Sequence, residues 1–89
     1  MICGDFNAIR SGETCRILGE RLTHLAPAEG QVTFPTAIRT DIAEPSPVAL
    51  DHIFGSHVEL EESGLIGDEP RNGVWLSDHV GVWARLRTL

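Results

Sequence analysis

The stretch LSDHVGV (residues 76–82) places an acid and an imidazole side by side, immediately before an alternating apolar strand. Two other stretches follow the same logic, because GDFNA (residues 4–8) and LDHIF (residues 50–54) each put a carboxylate at the edge of an apolar segment. In layered α/β folds, ligands bind at the edge where the strands end. These three stretches therefore predict a shared polar site.

The composition is that of a small globular protein. The chain has 89 residues, of which 42% are hydrophobic and 22% charged, which excludes a disordered tail. Its length allows one domain at most, and we treat residues 1–89 as a single partial domain. The net charge of −6 suits a site that collects a hard divalent cation. The same charge disfavours a non-catalytic nucleic-acid-binding module, since Arg85 and Arg87 are too few to form a basic surface.

The cysteines and the lack of targeting patterns in this sequence predict its cellular compartment. Cys3 and Cys15 lack C-x-x-C spacing, so we expect both to be reduced core residues. The chain shows neither a signal-peptide pattern nor an apolar run of membrane-spanning length, and we expect a cytoplasmic protein. Residues 1–3 read as the tail of a buried strand, which suggests truncation.

Hydrophobic periodicity predicts a mixed order of a strand, a helix and several further strands. A helix capped by Ser11 or Thr14 is expected to end at Pro27, with four apolar residues on one face and His24 near its C-terminus. That face comprises Cys15, Leu18, Leu22 and Leu25. Strands are expected at residues 1–3, 48–56, 74–76 and 80–86, with a break at residues 61–64. The pattern indicates an α+β fold in which the helix covers one face of a mixed or antiparallel sheet. Phe34, Trp75 and Trp83 are candidates for the other, uncovered face.

The polar residues supply the groups that phosphoester hydrolysis requires, namely cation ligands, a base, and donors to the phosphate. Asp5 and Asn7 are one residue apart and share a side of an extended chain, so Asp5 could act as base while Asn7 donates to phosphate. The alternative is that both are ordinary turn residues. Asp78 could bind a metal and a protonated His79 could hold a phosphate oxygen, the alternative being a turn aspartate beside a half-buried histidine.

Asp51 lies on an apolar strand, where an unpaired buried carboxylate is costly. His79 is its expected partner, and the pair would keep the imidazole cationic. The alternative places Asp51 at the exposed end of the strand. We expect His52 to pack in the core or at its margin, and we assign no role to His24 or His57.

The ordered motifs GDFNA, TFP (residues 33–35), LDHIF and SDH, followed by a hydrophobic strand, resemble the C-terminal half of the endonuclease/exonuclease/phosphatase family. The resemblance runs from Ile2 to Leu86. It implies half of a four-layer α/β sandwich, and hydrolysis of phosphodiesters or phosphomonoesters by direct water attack. Magnesium, or manganese in its place, is the implied metal. The implied substrate is a phosphoester of a small molecule, a lipid head group or a nucleic acid.

The resemblance also implies a role for each polar residue. Asp5 is similar to the catalytic aspartate, with a further contribution to the metal, and Asn7 to the residue that orients phosphate. Asp51 is similar to the aspartate that pairs with the catalytic histidine. Asp78 resembles the metal-proximal aspartate, and His79 the histidine that contacts the scissile phosphate.

One departure from the family keeps a second interpretation open. The family's N-terminal half supplies its principal metal-binding glutamate, and neither Glu13 nor Glu20 matches that residue. The alternative to an active phosphoesterase fragment is therefore a catalytically incompetent half-domain. Such a half-domain would act by association, with itself or with a separate N-terminal half, through an uncovered apolar sheet face.

Overall fold

The structure is a computed structural model that describes residues 1–35 and 47–89. Within these ranges the chain forms five strands and one helix. In chain order they are β1 (Ile2–Asp5), α1 (Glu13–Leu18), β2 (Thr23–Ala26), β3 (Asp51–Gly55), β4 (Val58–Ile66) and β5 (Gly81–Thr88). The α+β class expected from the sequence is confirmed, but the described strands form two antiparallel sheets instead of one.

The first sheet has the order β1-β3-β2, with β3 in the centre. Strand β3 takes this place because both of its edges pair, with β1 through a regular antiparallel register and with β2 through a register interrupted by a bulge. Its residues alternate as expected, since His52 and Phe54 are buried while Asp51 and Ile53 are half-buried. The alternation points Asp51 away from the core. It therefore lies on the same face of the sheet as Asp5, its register partner on β1.

The second sheet is the antiparallel pair β4-β5. The predicted closing strand is confirmed as β5, but the predicted break at residues 61–64 is wrong, because these residues lie inside β4. The polar run is accommodated at an exposed edge, with a register shift between Leu60 and Glu62. Cross-strand ion pairs join Glu62 to Arg85 and Glu59 to Arg87, so both arginines of β5 are already engaged by carboxylates.

The predicted helix is too long. Helix α1 begins after Gly12, not at Ser11 or Thr14, and is followed by Gly19 at its C-terminal cap. Residues 23–26 form β2 instead of the last helical turn, so His24 lies in a sheet and not beside a helix terminus. Pairing with β3 satisfies the backbone groups of this segment, and a non-local partner of this kind overrides the local helical periodicity.

The core lies between β2 and β3 on one side and the β4–β5 pair on the other. Its buried apolar residues are Cys15, Leu25, Ala26, Phe54 and Val80. Cys15 is buried as expected, whereas Cys3 is exposed, which corrects its assignment to the core; both are free thiols. The predicted strand at residues 74–76 is reduced to a single bridge between Arg71 and Val74.

The aromatic residues expected on an uncovered face, Phe34, Trp75 and Trp83, are all half-buried. In the two described segments, no helix has the length and apolar character needed to cross a membrane.

Candidate active site

Two aspartates face each other across the first sheet. In the antiparallel register of β1 and β3, Asp5 is directly opposite Asp51. Residues opposite each other project to the same side of a sheet, and like charges in that position repel. The register therefore creates a site of concentrated negative charge that a cationic group would stabilise.

His79 supplies that group. Its Nδ1–H donates to Asp51 Oδ2 at 2.7 Å, and its Nε2 lies 3.8 Å from Asp5 Oδ2. The pairing of His79 with Asp51 that the sequence predicted is thus present as a hydrogen bond. The His79 side chain is 27% exposed and that of Asp51 19%, so the pair is shielded without being sealed from solvent.

The neighbouring carboxylates raise the pKa of His79 above its ordinary value of 6.5. The hydrogen bond that His79 donates to Asp51 is the main cause of the increase, partial burial opposes it, and the charges of Asp51, Asp5 and Asp78 add to it. An opposite charge at this distance favours the protonated ring. The neighbouring carboxylates therefore favour the imidazolium form of His79, in which Nε2–H is directed toward Asp5 and the open side of the site.

A turn after β1 orients the Asp5 carboxylate. The backbone N–H of Asn7 donates to Asp5 Oδ1 at 2.8 Å, which leaves Oδ2 facing His79. Asn7 adopts a positive φ of 50°, a conformation that asparagine tolerates better than most residues. Asn7 is exposed and lies two residues from the cluster in sequence, whereas Asp78 immediately precedes His79 and is half-buried.

Thr33 is a structural residue of the site that had no role in the sequence analysis. It is fully buried, and its Oγ1 accepts the backbone N–H groups of Leu50 at 2.9 Å and of Asp51 at 3.1 Å. Its carbonyl accepts the N–H of Val80 at 2.6 Å. Thr33 therefore ties the backbone beside Asp51 to the backbone beside His79. The feature of the sequence that could have identified Thr33 is its place in the TFP motif (residues 33–35).

Phe34, the next residue of this motif, packs its ring against the His79 imidazole, with centroids 4.9 Å apart and an interplanar angle of 38°. The N–H of His79 also donates to Ser77 Oγ at 3.1 Å. The Asp51 hydrogen bond and the Phe34 ring together orient the His79 imidazole, and the Ser77 contact holds its backbone.

The cluster opens onto a cleft of about 490 Å³ between the two sheets. Asp5, Asp51, Ser77 and His79 line one part of it. The other lining residues come from β1, β3, β4, β5 and the segment before β5, and most of them are apolar. A cleft with one polar cluster on an apolar wall is typical of a small-molecule site.

The donor set fits a hard divalent cation through its carboxylates. Among the described residues, ligand atoms of Asp5, Asp51 and His79 lie within 4.8 Å of one another. The Nδ1–H of His79 is committed to Asp51, so the oxygens of the aspartates are the natural ligands. Mg²⁺ is commonly held by one or two carboxylates with water and phosphate completing its shell. Asp5, half exposed, is the accessible member of this set.

Comparison with known proteins identifies the family of this chain. A model of the endonuclease/exonuclease/phosphatase family matches residues 1–79, which include all of the site residues discussed above. Searches of curated proteins and of solved structures found no match. Because the family match covers most of the chain and contains the Asp5–Asp51–His79 cluster, the protein belongs to the endonuclease/exonuclease/phosphatase family.

Proposed function

We propose that this chain carries the C-terminal part of a magnesium-dependent phosphoesterase site within the four-layer sandwich of its family. The single observation that supports this most directly is the Asp5–His79–Asp51 cluster. It joins two opposed carboxylates through one imidazole at the mouth of a cleft. The substrate would be a phosphodiester or phosphomonoester cleaved by direct attack of water.

In this proposal each site residue has a separate role. Asp51 accepts the hydrogen bond from His79 Nδ1–H and favours the doubly protonated ring, whose Nε2–H would then donate to a non-bridging oxygen of the scissile phosphate. Asp5 Oδ2 takes no part in the contact with the Asn7 backbone. It would accept a proton from the attacking water, or a protonated Asp5 would donate one to the leaving oxygen. Asn7 orients the phosphate.

Asp5 and Asp51 would hold Mg²⁺, or Mn²⁺ in its place, which would neutralise charge on the phosphate and lower the barrier to attack. Asp78, the metal-proximal residue that the resemblance implies, is not part of the Asp5–Asp51–His79 group, and its charge acts on His79. The overall net charge of −6 favours a small phosphoester over long duplex DNA, because an acidic surface repels a polyanion.

The test is hydrolysis of an aryl phosphodiester by the 89-residue chain, with Mg²⁺ or with a chelator. We expect the chelator to abolish the rate and His79→Ala or Asp5→Asn to lower it by about 10²–10⁴-fold, the usual contribution of a positioned acid or base. His57→Ala is the matched control, since His57 is exposed and lies on the turn before β4. An unchanged rate in His79→Ala would refute the proposal.

A second candidate function is association of a catalytically incompetent half-domain, with itself or with a separate N-terminal half. The favouring observation is a cluster of exposed apolar side chains beside the cleft: Ile66 is 56% exposed, Val74 67% and Leu76 84%. These three residues also line one shared depression.

Sedimentation velocity separates the two candidates. Association predicts a concentration-dependent dimer that Leu76→Lys weakens, because a charge at this exposed position would have to be desolvated in the interface. Leu89→Lys is the matched control, since Leu89 is similarly exposed at 79% but lies at the far end of β5. A folded monomer at all concentrations would contradict association.

A further inference from the structure

A buried histidine contacts the turn that carries Asp5 and Asn7. His52 is 1% exposed, and its Nε2 lies 2.7 Å from the backbone carbonyl oxygen of Ala8. A carbonyl only accepts, so Nε2 carries the proton and donates it. His52 is the neighbour of Asp51 on β3 but points to the opposite, buried face. One strand thus presents Asp51 to the site and His52 to the support behind it.

The same turn is fastened at a second point. The Phe6 N–H donates to the carbonyl of Leu50 at 3.0 Å, at the start of β3. The Phe6 ring stacks on His52, with centroids 5.8 Å apart and an interplanar angle of 17°. The positive φ of Asn7 lies between these two anchors. Such a conformation persists only where its surroundings hold it.

A second histidine selects the tautomer of the first. His24 Nε2 lies 3.0 Å from His52 Nδ1, and His24 Nδ1 is buried with no hydrogen-bond partner among the described residues. If His52 carried its proton on Nδ1, its Nε2 lone pair would face the lone pairs of Ala8 O. His24 would then need its proton on the unpartnered Nδ1. The alternative, with His24 Nε2–H donating to His52 Nδ1, leaves only one acceptor atom unsatisfied.

The charge state of His24 agrees with this direction of the hydrogen bond from His24 Nε2 to His52 Nδ1. Burial, together with smaller contributions from the nearby Arg10 and His52, lowers the pKa of His24 to about 4, so His24 is neutral near pH 7. A neutral ring has one donor and one acceptor, as the arrangement requires.

We propose that His52 is a positioning residue, which holds the Asp5–Ala8 turn through a hydrogen bond from Nε2 to Ala8 O in a tautomer selected by His24. As a statement about catalysis, this inference rests on the proposed phosphoesterase function. As a statement about the turn, it can be tested without any activity. His52 would touch neither substrate nor metal, and would act only on the direction of Asp5 and Asn7.

The first experiment is a long-range ¹H–¹⁵N correlation spectrum of the 89-residue chain at neutral pH without metal. It distinguishes protonated from unprotonated ring nitrogens. We expect a protonated Nε2 and an unprotonated Nδ1 for His52. A protonated Nδ1 with an unprotonated Nε2 would overturn the inference.

The second experiment compares His52→Leu, which keeps bulk but removes the donor, with His52→Gln, whose side-chain amide can still donate to Ala8 O. We expect faster amide hydrogen exchange at Phe6 and Asn7 in His52→Leu than in His52→Gln, with the amides of β4 and β5 as internal reference. Equal exchange in the two variants would overturn the inference.

Kinetics then separate this inference from the proposed function. If the wild type hydrolyses an aryl phosphodiester with Mg²⁺, we expect His52→Leu to lower kcat by about 10- to 100-fold, as for other supporting hydrogen bonds behind a site, with a smaller change in KM. His52→Gln should restore most of kcat. Loss of kcat in proportion to the unfolded fraction alone would overturn positioning. A wild type inactive with Mg²⁺ would refute the proposed function, while the tautomer and exchange results would still decide the support of the turn.

Discussion

The pairing of His79 with Asp51 should make the stability of the protein depend on pH in a defined direction. The folded state raises the pKa of His79 above 6.5, mainly through its hydrogen bond to Asp51. Between pH 6.5 and the raised pKa, the folded chain therefore binds more protons than the unfolded chain. The free energy of unfolding then falls as pH rises. The stabilisation is complete below pH 6.5 and is lost as pH rises through the folded-state pKa.

The perturbation we choose is Asp51→Asn, which keeps the shape but removes the charge. A hydrogen bond to a charged group contributes about 1.5–3 kcal/mol, and the distance of 2.7 Å is typical of such a bond. About a fifth to a quarter of each side chain is exposed, so solvent screening favours the lower end, about 1.5 kcal/mol.

The assay is urea denaturation from about pH 5.5 to about pH 8.5, followed by the fluorescence of Trp75 and Trp83, with chelator present to exclude metal effects. We expect the wild type to lose about 1–2 kcal/mol more stability across this range than Asp51→Asn loses. His57→Gln, which alters an exposed histidine, should keep the wild-type slope. Parallel curves for the wild type and Asp51→Asn would refute the reasoning.

Three further predictions test the support of the site and the packing of the sheets. Thr33→Val leaves the partly buried N–H groups of Leu50 and Asp51 without their acceptor and should lower the free energy of unfolding by about 1–3 kcal/mol in urea denaturation. Thr33→Ser, which keeps the hydroxyl, should lower it less, and equal losses would contradict this. Gly64→Ala would place a Cβ 2.7 Å from Trp83 Nε1 and should lower the free energy of unfolding by about 1–3 kcal/mol. In a double-mutant cycle, Trp83→Leu should remove this penalty, and additive effects of the two substitutions would contradict the prediction. A thiol reagent should modify the exposed Cys3 in the native state. Cys15 is buried, and burial raises its pKa, so it should react only on unfolding. Simultaneous reaction of both thiols would contradict the fold.

The polar motifs were readable from the sequence because their chemistry is local. An aspartate at the edge of an apolar strand must find a partner, and the order of Asp5, Asp51 and His79 among apolar segments was enough to predict that they meet. The α+β class followed from the order of helical and alternating apolar patterns, and strand β5 followed from alternation, both of which are properties of residues close in sequence.

The boundary between α1 and β2 could not be read in this way. Leu22 and Leu25 continue a helical spacing from Cys15, yet residues 23–26 pair with β3. Strand β4 likewise contains Glu61 and Glu62, whose polar character led to the wrong prediction of a break in the strand. In both cases the deciding hydrogen bonds come from a strand distant in the chain, and local periodicity carries no information about such partners.

The sequence by itself predicted the polar residues of the candidate site and determined the α+β class of the fold that presents them. Only the tertiary structure decided that Asp5 lies directly opposite Asp51, that Thr33 joins the strands beside the site, and that His52 supports the turn from behind. The physical reason is that register, tautomer and hydrogen-bond direction are relations between segments. They come into existence only when folding brings those segments within about 3 Å of each other.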